Sequence, residues 1–355
     1  MYSFSQYLNR GLSFVRNGML NTDIHLSTLM IYSTDICNSK CLHCNIWQKH
    51  PKQHLSIQNI RQIMQSRAVT SKTIIGLEGG EFLLHPQAFE ILKYFEKYHS
   101  NYDLLTNCLA PQKLDEALTR FAPRHLYVSL DGDKNTYMKM RGVDGFEKVI
   151  SVMAKYKNRV PVSAMFTLSP YNNFNDLEYV ADICKSLQVD LRIGIYSNME
   201  YFETGNCPES YNLLNYQVKD IPSKVHEFDE NYDFIALYPG FKRDEVKLPC
   251  YSIYDSLVIY PNGDVPLCQF KEIILGNINN LPLDTILNSI EAKKIRNQHC
   301  KACNQCWINF HRKYDIVLLR NLEKIFPKKI IEKVVGKYQW SADINQTYQS
   351  FIRNN

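Results

Sequence analysis

The sequence predicts an α/β protein built on a parallel sheet, and two observations carry that prediction. Six short apolar runs alternate with helical stretches between residues 28 and 196, the rhythm of strands joined by crossover helices. After Tyr196 the rhythm stops, and a segment of different texture begins at Cys250. The chain has 355 residues, 45% hydrophobic and 22% charged, which excludes collagen-like, low-complexity and wholly disordered classes. No stretch reaches the ~18 consecutive apolar residues of a membrane span. Arg10, Arg16 and Asn17 interrupt the N-terminal apolar residues, so no signal peptide is expected and the location expected is cytoplasmic.

The expected strands are Thr28–Thr34, Thr73–Leu77, Tyr102–Thr106, His125–Leu130, Pro161–Leu168 and Val189–Tyr196. Helices are expected near 56–66, 86–98, 112–120, 145–157 and 175–187; in the second, Phe89, Ile91, Leu92 and Phe95 fall at helical spacing. Such a sheet is either open and doubly wound or a barrel, and in both cases chemistry belongs at the carboxyl ends of the strands. Residues 1–27 form a helical lead-in. Residues 197–249 are a polar, Tyr-rich insertion beside the substrate pocket. Residues 250–306 hold a cysteine-rich unit in which LVIYPNGDVPLC reads as a hairpin turning at Asn262-Gly263-Asp264. Residues 307–355 form a basic tail.

Eleven cysteines are an odd number in a chain too large for a small exported disulfide scaffold. They fall into groups: Cys37, Cys41 and Cys44; then Cys250, Cys268, Cys300, Cys303 and Cys306; with Cys108, Cys184 and Cys207 alone. The first group, CNSKCLHC, follows the first strand directly. Tetrahedral zinc asks for four ligands, and His43, between Leu42 and Cys44, would have to double back to be the fourth. Three thiolates suit a 4Fe–4S cubane with one open iron. A zinc fragment remains the competing reading of these three residues alone.

A Gly79-Gly80-Glu81 at the end of the second strand extends the pattern, with LLTNC at 104–108 and SLDGDKNTYMKMRG at 129–142. Together they resemble the radical S-adenosylmethionine (SAM) superfamily, over roughly residues 28–306. The resemblance implies a partial (β/α)6 TIM-like barrel. It also implies a 4Fe–4S cluster on Cys37, Cys41 and Cys44 whose open iron binds SAM, reductive cleavage of SAM to a 5′-deoxyadenosyl radical, and hydrogen abstraction from substrate. By the same resemblance Gly79, Gly80, Glu81 and Asn107 bind SAM, Ser129 meets its ribose and Arg141 pairs with its carboxylate. His43 packs on adenine or the cluster, and Arg192 faces the lumen as a ligand or in an ion pair. Two positions depart from the family pattern: Phe82 stands where Pro is frequent, and Cys108 where Gly is usual.

The second group resembles the SPASM/twitch extension of a subset of these enzymes. Two fully cysteine-ligated clusters need eight thiolates and five are present, so one auxiliary 4Fe–4S cluster is expected. Its ligands would be Cys250, Cys268, Cys300 and Cys303, with Cys306 a spare or alternative fourth; a zinc knuckle competes. Such a cluster would either relay an electron from substrate or, through an open iron, ligate the substrate directly; four available thiolates favour the relay. Cys108 and Cys207 are candidate hydrogen donors, and solitary cysteines are otherwise buried apolar residues.

The last 49 residues carry nine Lys/Arg and four acids, which equals the net charge of +5 for the whole chain. Leu318, Leu322 and Ile325, then Ile330, Ile331, Val334 and Val335, predict two amphipathic helices flanking Pro327. They either pack on the barrel or meet an anionic partner or membrane surface. No nucleic-acid motif accompanies the charge. The function expected is radical SAM oxidation, cross-linking or epimerisation of a peptide, fed by a low-potential donor such as flavodoxin or ferredoxin. A dehydrogenase or epimerase of a sugar, cyclitol or other small metabolite is the alternative, and a non-catalytic Fe–S or zinc scaffold a remote one. About 27 residues precede the first strand, fewer than a leader-binding domain needs, which tempers the peptide reading.

Overall fold

A computed structural model describes residues 24–203, 216–228, 232–271, 273–323 and 325–339, together with 8, 11–13 and 15–19. Six strands fall where the apolar runs predict them: β1 (Thr28–Tyr32), β2 (Ile74–Glu78), β3 (Tyr102–Thr106), β4 (His125–Ser129), β5 (Val162–Leu168) and β6 (Asp190–Ile195). A seventh, β7 (Ser256–Ile259), joins the same sheet, whose order is β6-β5-β4-β3-β2-β1-β7 with every pair parallel. The helices α1 (Ile57–Met64), α2 (Ala88–Tyr98), α3 (Pro111–Arg120), α5 (Phe146–Tyr156) and α6 (Phe174–Leu187) supply the crossovers.

Alternate residues explain the curvature into a partial barrel. Thr28, Gly76, Leu105, Tyr127, Met165 and Arg192 line one inner cavity, while Leu29, Ile31, Ile75, Val128, Phe166 and Ile193 are buried on the other face. The outer face is covered by apolar helix stripes such as Ala88, Ile91, Leu92 and Phe95 of α2. Helix starts are fixed locally: Ser56 and Asn59 form a capping box at α1, and Asn173 with Asp176 another at α6. All strand carboxyl ends therefore share one rim. On the opposite side the N-terminal stretch docks through Asn17, whose Nδ2 donates to the carbonyls of His25 (2.7 Å) and Tyr254 (2.9 Å).

Three features depart from or add to the sequence expectations. The segment DGDKNTYMKMRG contains a helix, α4 (Lys134–Arg141), too polar for apolar periodicity to reveal. It is set by its caps: Asp133 accepts from the Thr136 N–H (2.8 Å), and Gly142 is left-handed at φ 66°. Second, the expected hairpin forms only its turn, where the Gly263 N–H donates to Tyr260 O (2.9 Å). Its two strands part, because β7 pairs with β1, whereas β8 (Asp264–Pro266) pairs antiparallel with β9 (Ile274–Asn277). Third, the C-terminal segment that opens at Trp307 begins inside the core. That side chain is fully buried; its Nε1 donates to Phe234 O (2.7 Å), and its ring lies 4.8 Å from that of Phe241. Residues of the 197–249 insertion thus clasp the start of the C-terminal segment, and Val225, Phe234, Ile235 and Leu237 join the core.

Beyond lie α7 (Leu283–Asn288), α8 (Ile290–Ala302), α9 (Asn309–Leu322) and α10 (Lys328–Val335), so two helices do flank Pro327. In α10, Ile331 and Val335 face inward, while Ile330 and Val334 are exposed. No helix among the described residues is long and apolar enough to cross a membrane.

Trp307 yields a stability prediction. Trp307→Ala should cost about 3–5 kcal/mol, and Trp307→Phe, which keeps most of the packing but loses the indole donor, about 1 kcal/mol. Midpoints of denaturant unfolding would measure both.

Candidate functional site

The strand rim surrounds a cavity of about 360 Å³. Its walls come from the lumen, from the loop after β1, and from Gln269, Ile308 and Asn309 of the C-terminal third. Cys37, Cys41 and Cys44 stand on one side of it.

Backbone contacts on two flanks hold the cysteine loop. On the β2 side, the Gly80 N–H donates to Thr34 O (2.6 Å) and the Glu81 N–H to Ile36 O (2.7 Å). Only glycines fit that approach: a Cβ on Gly79, at φ 145°, would lie 2.5 Å from Thr34 O, and one on Gly80 2.3 Å from Ile36 O. On the α4 side, the Lys40 and Leu42 N–H groups donate to the helix-end carbonyls of Arg141 and Met140, both at 2.9 Å, and Ser39 Oγ also donates to Arg141 O (3.0 Å). The Ser39 N–H reaches Cys37 Sγ (3.5 Å), and Ser39 Oγ lies 3.1 Å from Cys41 Sγ. Burial pushes the Cys37 thiol up to about 11, and raises Cys44 well above its ordinary value with neighbouring Cys41 adding to the rise. A bound cation reverses that cost, because metals take cysteine as thiolate.

Glu81 is buried and accepts three hydrogen bonds while lining the cavity. Its Oε2 accepts from the Asn107 N–H (2.8 Å), and its Oε1 accepts from Thr106 Oγ1 (3.0 Å) and the Leu83 N–H (3.4 Å). Burial still pushes it up to about 7, despite the hydrogen bonds that favour the charged form. The carboxylate therefore ties the ends of β2 and β3 together. Asn107 passes the restraint on, its Nδ2 donating to Asn38 Oδ1 (2.9 Å) and lying 3.9 Å from Cys37 Sγ. Cys108 adopts φ 61°, the left-handed conformation a glycine would take freely. Its thiol is fully buried and is not among the described cavity-lining residues. Cys207 lies outside the described residues.

Ser129 and Arg192 line the cavity, and Arg192 Nε also pairs with Asp190 (2.9 Å). Arg141 is buried with Asp131, its Nε 2.6 Å and Nη2 2.5 Å from Asp131 Oδ2, and its Nη1 3.7 Å from Cys41 Sγ. Burial works against its charge, but Asp131 and Cys41 outweigh it and hold the pKa above the ordinary value. Asp131 thus lies behind Arg141, and its other oxygen accepts from the Thr167 N–H (2.9 Å). His43 is kept neutral, pushed down to about 4 by burial and by Arg141. His43 Nδ1 and Trp47 Nε1 are buried on residues that line the cavity, and neither has a partner among the described residues. Two orphaned ring nitrogens beside three thiols fit a polar ligand bound next to a thiolate-held group.

The second group also converges. Cys250, Cys268 and Cys300 are buried in one small cluster with Ile253, Tyr254 and Leu267, and Cys303 packs against it. The Cys250 N–H donates to Cys300 O (3.3 Å), and the Lys271 N–H to Cys268 Sγ (3.2 Å). Burial raises the Cys250 thiol and pushes Cys268 up to about 11, with the Cys306 and Cys303 thiols adding to both. All ten described cysteines are free.

Three functional candidates escape sequence reasoning because no spacing links them. Tyr32 from β1 hydrogen-bonds Glu78 from β2, and Gln269, next to Cys268, donates to Tyr32 Oη. Glu78, Tyr32 and Gln269 all line the cavity. Burial pushes Glu78 up to about 7 against the opposing Tyr32 hydrogen bond.

Residues 31–184 match the radical SAM superfamily, and residues 250–307 match the SPASM iron–sulfur cluster-binding domain. The antilisterial bacteriocin subtilosin biosynthesis protein AlbA of Bacillus subtilis is 23% identical, over 79% of this chain and 68% of its own. The AdoMet-dependent heme synthase of Methanosarcina barkeri is 28% identical, over 49% of this chain and 50% of its own. Streptococcus suis SuiB, solved bound to its precursor peptide SuiA, superposes with a TM-score of 0.61 at 14% identity, covering 96% of this chain and 80% of that one. The chain is a radical SAM protein with an SPASM domain, and its cofactors are iron–sulfur clusters and SAM.

The close approach at Gly80 can be tested directly. Gly80→Ala should displace the loop that carries Cys37 and lower iron retention at the first site, while the second site keeps its iron. Iron and sulfide assays on the variant, with and without Cys37, Cys41 and Cys44 replaced by Ala, would measure this.

Proposed function

For a radical SAM protein of this build, we propose a peptide-modifying enzyme that abstracts a hydrogen atom from a peptide and completes the reaction as an oxidation. The observation that carries this reading is the single cavity running from the Cys37–Cys44 loop to Gln269 beside Cys268. Support for a peptide substrate comes from the relatives, since AlbA is named for bacteriocin biosynthesis and SuiB is solved with a precursor peptide. When bound, the first cluster and SAM supply one-electron reduction of the sulfonium and, with it, hydrogen-atom abstraction.

The chain's residues have assignable parts. Cys37, Cys41 and Cys44 hold the first cluster, and Cys250, Cys268 and Cys300 with Cys303 or Cys306 an auxiliary one. Glu81 fixes Thr106 and Asn107, and because it also lines the cavity it keeps acceptor capacity for the SAM end of the site. Arg141 places a positive charge beside Cys41, and its own charge is balanced by Asp131. His43 and Trp47 offer ring nitrogens to the SAM end of the cavity, and Ser129 and Arg192 line its wall. Glu78 holds the proton that an oxidation must release: its carboxylate is ionised above about pH 7, and Tyr32 supports that form. A low-potential flavodoxin or ferredoxin would deliver the electron.

Deuterium carried on a candidate ribosomal peptide should appear in 5′-deoxyadenosine under a strong reductant. Transfer from a labelled sugar or cyclitol instead would replace the peptide reading, and absence of any SAM cleavage would sink the enzyme claim. Glu78→Gln should keep SAM cleavage but lower oxidised product by roughly a hundredfold or more. In the unchanged chain, product formation should rise as pH increases through about 7, where Glu78 loses its proton. A flat profile would assign the proton to another group.

A further inference from the structure

Arg312 lies six residues beyond the last cysteine of the second group, in a stretch whose charge reads as solvated tail. Its side chain is nevertheless fully buried. The guanidinium uses all three nitrogens. Nη1 donates to Leu248 O (2.7 Å) and Pro249 O (3.2 Å), Nε to Cys306 O (3.2 Å), and Nη2 to Cys303 O and Asn304 Oδ1 (both 3.2 Å). Asn304 reinforces the same junction: its Nδ2 donates to Val246 O (2.9 Å), and its Oδ1 accepts from the Leu248 N–H (3.3 Å). The residues before Cys250 and the turn from Cys303 to Cys306 are thus bound to one rigid fork. The preceding residue adds a further tie, since His311 O accepts from Ser252 Oγ (2.5 Å).

A guanidinium is costly to bury, and carbonyl dipoles satisfy its donors without cancelling its charge. The groups near it that can carry negative charge are the Cys250, Cys306 and Cys303 side chains, once ionised as ligands, and the carboxylate of Asp315. A lysine could not span four carbonyls and an amide in a plane. The donor count therefore explains why the residue is arginine, and the thiols explain what its charge faces.

We propose that Arg312 is a positioning residue of the auxiliary cluster site: it fixes the segments carrying Cys250, Cys303 and Cys306, and its permanent positive charge raises the reduction potential of the bound cluster. An added electron is stabilised by a nearby buried cation, so the cluster accepts an electron from substrate more readily. The inference rests on the reading of the second cysteine group as a cluster site.

The test uses the full chain with Cys37, Cys41 and Cys44 replaced by Ala, reconstituted anaerobically, so that only the second site holds iron. This parent should retain roughly four iron atoms; if it retains none, the cluster reading itself fails. Arg312→Gln keeps hydrogen-bond donors and loses the charge, and Arg312→Lys keeps the charge and loses the fork. EPR-monitored redox titration should place the Gln variant at a more negative potential than the parent. The Lys variant should stay near the parent potential, with an altered EPR line shape or lower iron content. A Gln variant with the parent's potential would overturn the electrostatic part, and a Lys variant with the parent's line shape and iron content would overturn the positioning part. If the Gln variant binds no iron, iron restored by Lys supports the proposal. Loss of native circular dichroism in both variants would overturn it and leave Arg312 a core residue alone.

Discussion

The contact on which the site depends is the approach of residues 34–37 to Gly79 and Gly80. Two short hydrogen bonds extend the β1–β2 pairing past the ends of the strands, and no side chain could stand between them. The same loop is pressed from its other flank by the carboxyl end of α4. Gly142 matters there for the same reason, because a Cβ would lie 2.7 Å from Lys40 O. The cysteine loop is therefore clamped between a strand end and a helix end chiefly by backbone groups, with Asn107 and Ser39 adding side-chain ties. Placement of Cys37 and Cys41 follows largely from main-chain geometry, in a loop whose Leu42 is exposed and contributes little packing.

Electrostatics then work inside that frame. A buried ion pair returns little stability once both charges are desolvated, so Asp131–Arg141 is poorly explained as a folding device. Its orientation is more informative: both close contacts to Asp131 use one edge of the guanidinium, and Nη1 remains for Cys41. Glu81 works in the opposite sense. It is buried and costly, yet its hydrogen bonds go to chain groups on β3, so its contribution to the site is the position of Asn107 and, through it, of Cys37.

Periodicity made the barrel legible. Strands buried on one face by helices and lining a lumen on the other must be apolar at alternate positions, and helices must show a stripe; β1 to β6 and their main crossovers obey both rules. The cysteine groups and Gly-Gly-Glu were legible because metal and backbone constraints demand fixed residue types at fixed spacing. Three features escaped. Helix α4 is held by caps and by the loop it supports, with little apolar periodicity. Strand β7 is four residues whose partner lies more than 200 positions upstream, and local pattern cannot name a distant partner. Arg312 was read by charge, whereas its burial depends on carbonyls contributed by two separated segments.

Strand β7 alters how the two cysteine groups relate. β1 runs into the loop bearing Cys37, and β7 runs through the Tyr260–Asp264 turn towards Cys268. Adjacent parallel strands lie about 4.8 Å apart, so both loops start from neighbouring points on one rim. Gln269 then closes the gap by donating to Tyr32 Oη at the end of β1. The C-terminal cysteine unit is consequently part of the barrel wall, with its strand pairing and its side-chain contact on the same element that launches the first cysteine loop. Moving that unit away from the cavity would break parallel pairing with β1 and expose Val258 and Ile259, both fully buried. Relative placement of the two groups is thus a property of the sheet, fixed by the pairing of β7 with β1.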